Sequence, residues 1–220
     1  MVRSVPATSA VPLPRRPLDP DLSGPRDPRT GPGTRARLWY ENELGWPTAP
    51  GWPLRLLTGV RFDVLDMPAE AGAGALRHLA PGSPVALRGD RMLLLVAAGG
   101  AEELPGLLEW LEWGAVALDL RALGAGDTME APIPPRPVSG GGKGARVRRV
   151  PGAAVWLRPP GPRCETEVSL PAMPAVGRGS SAPDLVRLVD TVAARCHRVR
   201  LRRACAGPSA LGRNIPSAFS

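Results

Sequence analysis

The chain is 220 residues long and holds 26 Gly and 28 Pro, about a quarter of its length. Such an excess of backbone breakers excludes one compact domain over the whole chain, while 43% hydrophobic residues exclude a fully disordered one. The net charge of +8 is unevenly held, with seven Arg against five acids in 1–50, six Arg against eleven acids in 51–130, and fifteen basic residues against four in 131–220. The basic character therefore belongs to the C-terminal part, and the segment with the most core-like patterning is acidic. Lys143 is the one Lys, and Ile133 and Ile215 are the two Ile. That bias weakens abundant Arg as a signal for nucleic-acid binding.

Three cysteines, Cys164, Cys196 and Cys205, form no CxxC pair, which argues against a disulfide framework or a zinc knuckle. The N-terminus has Pro every few residues and no apolar h-region, so it does not read as a signal peptide. The run Met92 to Ala101 is too short for the roughly 20 apolar residues that span a bilayer. A soluble, cytoplasmic protein without a membrane partner is expected.

In chain order, residues 1–34 read as a disordered Pro/Arg-rich arm. Arg35 to Leu44 reads as a helix stopped at Gly45, ahead of a turn framed by Trp46-Pro47 and Trp52-Pro53. LRLLTG gives a short strand and turn, and VRFDVLD gives a strand with Val60, Phe62 and Val64 on one face and Arg61, Asp63 and Leu65 on the other. Pro68 to Ala80 suits a Gly-weakened helix, and PVAL, a Gly89-Asp90 turn and MLLLVAA suit an antiparallel hairpin. ELPGLLEWLEW places Leu104, Leu107, Leu108 and Leu111 at helical spacing, with Glu103, Glu109 and Glu112 toward solvent. AVALDL reads as a further buried strand, and AAVWLR as the last one after a flexible loop at 133–152.

Residues 161–180 read as a linker, 181–204 as a basic amphipathic helix and 205–220 as a disordered tail. The helix carries Leu185, Leu188, Val189, Val192, Cys196 and Val199 on one stripe and Arg187, Arg195, Arg198 and Arg202 around it. The expected fold is α+β over 35–160, a small mixed or antiparallel sheet with helices packed on it, flanked by Pro/Gly-rich arms.

Several segments bear on chemistry. SGGGKG, Ser139 to Gly144, lacks the first Gly and the hydroxyl residue of a phosphate-cradling loop and reads as a flexible insertion. Neither His78 nor His197 has a metal partner at ligand spacing, and the six Trp suit packing better than base stacking. Acids near strand ends in a small sheet can hold divalent cations, which singles out Asp63, Asp66 and Asp119. Asp63 and Asp66, three apart, fall on opposite faces of a strand. The plainer roles are an N-cap for Asp66, and for Asp119 a pairing with Arg121 or a turn amide.

The ordered runs GWPTAP (Gly45 to Pro50), LLTGVRFDVLDMP (Leu56 to Pro68), GDRMLLLV (Gly89 to Val96), LDLRALGAGDTMEAPIPP (Leu118 to Pro135) and AVWLRP (Ala154 to Pro159) carry a family likeness. Over roughly residues 40 to 160 the chain resembles the N-terminal domain of bifunctional DNA primase-polymerases of the archaeo-eukaryotic primase superfamily, in its short actinobacterial form. The resemblance implies a primase-polymerase-like α+β fold and, were the chain active, a nucleotidyltransferase using Mg2+ or Mn2+. It puts the first metal-binding Asp at Asp66 and the third-motif acid at Asp119. Pro68 stands where the family has its second Asp, Met92 or a neighbour stands where it has a phosphate-binding His, and the Trp-containing middle helix is absent.

A hard cation prefers several oxygen ligands, so a degenerate catalytic site is expected. DNA or nucleotide would then be met through the basic cluster Arg146, Arg148 and Arg149. The alternative of a different class is a non-enzymatic scaffold whose basic helix, 183–203, docks a protein or anionic partner. A third reading has that helix cover the apolar face of the sheet.

Overall fold

A computed structural model describes residues 31–135, 152–174 and 184–206. The expectations for residues 1–30 of the N-terminal arm, 207–220 of the tail and 136–151 of the loop fall outside those residues, whereas 32–34, expected in the arm, are helical and Cys205, expected in the tail, closes the last helix.

The first element is α1 (Pro32–Leu38), with Pro at the position whose N–H has no helical partner to lose. It runs on as a π-helical turn, Trp39–Leu44, and stops as expected at Gly45, whose φ of 66° suits glycine. There follow β1 (Thr48–Ala49), β2 (Arg55–Leu57), β3 (Phe62–Pro68), α2 (Ala69–Ala73), β4 (Val85–Arg88), β5 (Arg91–Ala97) and α3 (Gly100–Trp110). The remaining elements are β6 (Arg121–Leu123), β7 (Thr128–Glu130), β8 (Val155–Arg158), α4 (Arg163–Ser169) and α5 (Leu185–Cys205). The described strands form one five-stranded sheet, ordered β6-β3-β5-β4-β8, and one three-stranded sheet, ordered β1-β2-β7. Every strand pair in both is antiparallel. The α+β class holds, with two sheets in place of one.

The central strand β3 is buried at every residue, because both of its faces are covered. Leu65 and Met67, with Leu94 and Val96 of β5, pack beneath α2, α3 and α5. Phe62 and Val64, with Leu93 and Leu95, meet a second layer built from Tyr40, Leu44, Trp46, Leu56 and Met129. A one-sided strand alternating from Val60 is therefore corrected: Val60 lies outside β3 and is exposed.

Three further expectations change. The helix foreseen over 68–80 is only α2 followed by a 3₁₀ turn at Leu76–His78, and a Cβ on Gly72 would run into the Met92 side chain. Residues 115–120 form no strand; β6 starts at Arg121, paired with Asp66 of β3. Finally, 161–180 is not a plain linker, since α4 lies within it and buries Thr166 and Ser169, with the Ser83 hydroxyl donating to the Ser169 carbonyl.

Asp184 caps α5, its carboxylate accepting from the Val186 and Arg187 amides. The apolar stripe lies against the sheet, with Leu185, Leu188, Val189, Val192, Cys196 and Val199 all buried. It is consumed inside the fold and is not offered to a partner. Polar contacts hold the helix from outside: Trp113 donates to Asp190, Arg202 pairs with Glu70, and Arg195 lies over Gly74. Among the described residues no helix is long and apolar enough to cross a membrane.

Leu188 is fully buried beneath the sheet. Leu188→Ala is expected to cost about 3 kcal/mol in urea unfolding. Deleting residues 181–220 is expected to abolish the cooperative transition; a sharp, retained transition in the shortened chain would show that the helix is dispensable.

Candidate functional site

The register of the central strands decides where the acids go. Asp66 faces Leu93 across β5 and Arg121 across β6. Residues two apart share a strand face, so Arg91, two before Leu93, comes to one side of Asp66, while Asp119 lies in the irregular chain that enters β6 on the other. Asp66 and Asp119 are thus brought to one end of the sheet, as the sequence suggested, but a guanidinium lies between them.

Arg91 donates from Nε to Asp66 Oδ1 at 2.7 Å and from Nη1 to Asp119 Oδ1 at 2.6 Å. Its Nη2 donates to the Asp66 carbonyl at 3.0 Å. The Asp66 and Arg91 side chains are 7% and 17% exposed, against 40% for Asp119, so the Asp66 limb is the buried one. Burial works against charge on Arg91, and the hydrogen bonds it donates to Asp119 and Asp66, with their negative charge, outweigh it and hold the guanidinium above its ordinary pKa. Arg203 approaches the other Asp119 oxygen at 3.8 Å, and Arg200 donates to the Ala117 carbonyl beside it. At the last turn of α5, the face that elsewhere carries Leu and Val thus carries arginines.

Asp63 takes no part in this cluster. It shares its side of β3 with Leu65 and Met67, under the helices, whereas Asp66 shares the other with Phe62 and Val64. Its Oδ2 accepts from the Ala101 amide at 2.9 Å, so it caps α3 from a neighbouring strand, where Gly99 at the cap position has no side chain to do so. Its Oδ1 is buried and has no hydrogen-bond partner among the described residues, and Asp63 stands on the opposite face of β3 from Asp66. Asp66 does not cap α2 either, since the cap position is Pro68. Arg146, Arg148 and Arg149 lie outside the described residues.

The donor set as arranged does not suit Mg2+ or Mn2+. Two carboxylates remain, each already engaged by a guanidinium, and among the described residues no three His, Cys, Asp or Glu side chains gather as a ligand set. Beside the cluster opens a cleft of 340 Å³ with Pro68, Leu118 and Val199 as apolar wall and Asp119, Arg200 and Arg203 at the rim. Two guanidiniums against one paired carboxylate favour an anion over a cation. Cys196 also lines this cleft; burial, reinforced by Asp119 and opposed by Arg91, pushes its thiol up to about 12, so it is no nucleophile at neutral pH.

Arg91 and Arg203 escape a motif reading because their partners are remote in sequence. The accessible signal was the Gly89-Asp90 turn, which fixes the first residue of β5 once β5 pairs with β3. Compared with protein-family models, curated proteins and solved structures, the chain matches none significantly.

Two buried groups give a pH prediction. Above the ordinary thiol value of 9.0 the unfolded chain's Cys196 ionises, while the folded thiol keeps its proton to about 12. Burial raises the Tyr40 phenol from 10.0 in the same sense, against a weaker opposing hydrogen bond from Trp156. The folded state binds more protons, so stability is full below pH 9 and is expected to fall above it, by about 1.4 kcal/mol per pH unit for each fully titrating group. Urea midpoints at pH 8, 9 and 10 check this, and a flat profile would place both groups in water.

Proposed function

We propose that this chain is a divergent primase-polymerase-like domain whose acid pair has turned from metal ligation to structure. The observation that carries the reading is the Arg91 guanidinium seated between Asp66 and Asp119. A divalent cation there would have to displace a charge-assisted, two-pronged pairing and then find further oxygens, with Pro68 at the position of the missing acid. The ordered sequence runs support the family side of the proposal, and the ion-pair cluster supports the loss of catalysis. On this reading Arg91 ties β3 to the chain entering β6, and Arg203 carries the tie on to α5.

A second reading, contact with an anionic polymer such as DNA, rests on one feature. With the apolar stripe of α5 consumed, its outer face presents Arg187 and Arg198, of which Arg187 is 82% exposed. Such contacts would position a phosphate backbone without reading sequence, and would weaken steeply with salt.

Purified full chain with primed template, nucleotides and Mg2+ or Mn2+ is expected to give no extension above an Asp66→Ala control. Extension that Asp66→Ala abolishes would overturn the proposal. The structural role has its own check: Arg91→Met is expected to destabilise the fold by about 2–3 kcal/mol, discounted for the exposure of Asp119. Adding Asp66→Asn is expected to recover part of that loss, since the uncompensated buried charge is then removed.

A further inference from the structure

We infer that the outer side of α3 and the turn after it form a docking groove for an arginine-rich peptide segment of a partner protein. The groove measures 610 Å³, with Leu104, Pro105, Leu108 and Ala115 as its apolar lining and Glu109 and Glu112 at its edge. Charge complementarity names the occupant. The chain has 28 basic residues, yet none falls between Arg91 and Arg121, a stretch holding Glu102, Glu103, Glu109 and Glu112. All four glutamates are exposed, and none pairs with a cation among the described residues.

The chemistry fits a guanidinium better than a bare cation. Glu109 and Glu112 stand at the groove edge without a third acid to complete a chelate, whereas an arginine lays its apolar stem along Leu108 and Ala115 and turns its planar head to a carboxylate. An aliphatic side chain next to that arginine would fill the floor, the helix-groove pattern of peptide recognition. The chain's overall charge of +8 repels such a peptide, so capture reads out the local field of the groove.

The test is fluorescence anisotropy of a labelled amphipathic peptide of about twelve residues, arginines around a leucine pair at helical spacing, against the full chain. Saturable binding is expected, weakened about tenfold in Glu109→Gln/Glu112→Gln and progressively by salt between about 0.05 and 0.3 M. Ala115→Arg, an exposed substitution that fills and recharges the groove without touching the core, is expected to abolish it. No saturable binding, or equal binding by wild type and both variants, would overturn the inference. Concentration-dependent self-association that Glu109→Gln/Glu112→Gln dissolves would make a second copy of the chain the occupant and overturn it as well.

Discussion

A carboxylate that is 7% exposed in a strand covered on both faces needs an answering partner, an opposite charge or donated hydrogen bonds, because an unanswered ion there costs several kcal/mol. Asp66 meets Arg91, and much else is bound to that requirement. β5 has to begin at Arg91, so the hairpin turn is confined to Gly89 and Asp90. The second prong of Arg91 draws in Asp119, which keeps the chain before β6 irregular and close to the last turn of α5. Arg200 and Arg203, both exposed, follow the buried Cys196 and Val199 by four residues each, and there they meet the Ala117 carbonyl and Asp119.

Elements specified by local chemistry were legible in the sequence. The Gly89-Asp90 hairpin, the α3 periodicity, β8 and the stripe of α5 all follow from spacing within a few residues. What the sequence hid was non-local. Asp63 and Asp66 made β3 look half-solvated, whereas both are buried, Asp63 with one oxygen met by the Ala101 amide and Asp66 met by Arg91. The strand expected at 115–120 is absent although its content is apolar: β6 pairs with β3 only from Arg121 onward, and Pro68, further along β3, has no N–H to donate to a ladder. α4 was masked by flanking prolines, although Pro162 stands at its cap position, where proline's missing donor costs little. Of the candidate site, the approach of Asp66 and Asp119 was legible, and the cation between them was not.

Charge is segregated more sharply in space than in sequence. The arginines of α5 are spent largely on holding the helix in place, through Glu70, Asp119 and the Ala117 carbonyl. The glutamates of α3 and the turn after it are not used in this way and are exposed, Glu109 and Glu112 beside an apolar groove. The basic helix, prominent by composition, is therefore partly a structural fastener, while the acidic helix keeps its charges available. Surface pairs of this kind contribute little each, so the fastening depends chiefly on the apolar stripe beneath.

Residue 68 bears on how a metal site and an ion-pair latch differ. Pro68 lies directly opposite Arg91 in the register of β3 and β5 and on the same strand face as Asp66. An acid there would add a third carboxylate at this end of the sheet, leaving a net negative cluster in which one guanidinium could not satisfy all three. With proline, two carboxylates face Arg91 and the nearby Arg203, and the charges balance. The residues at positions 66 and 119 can be identical in both cases; the sign of the site turns on residues 68 and 91, and a motif defined by its acids alone does not register either.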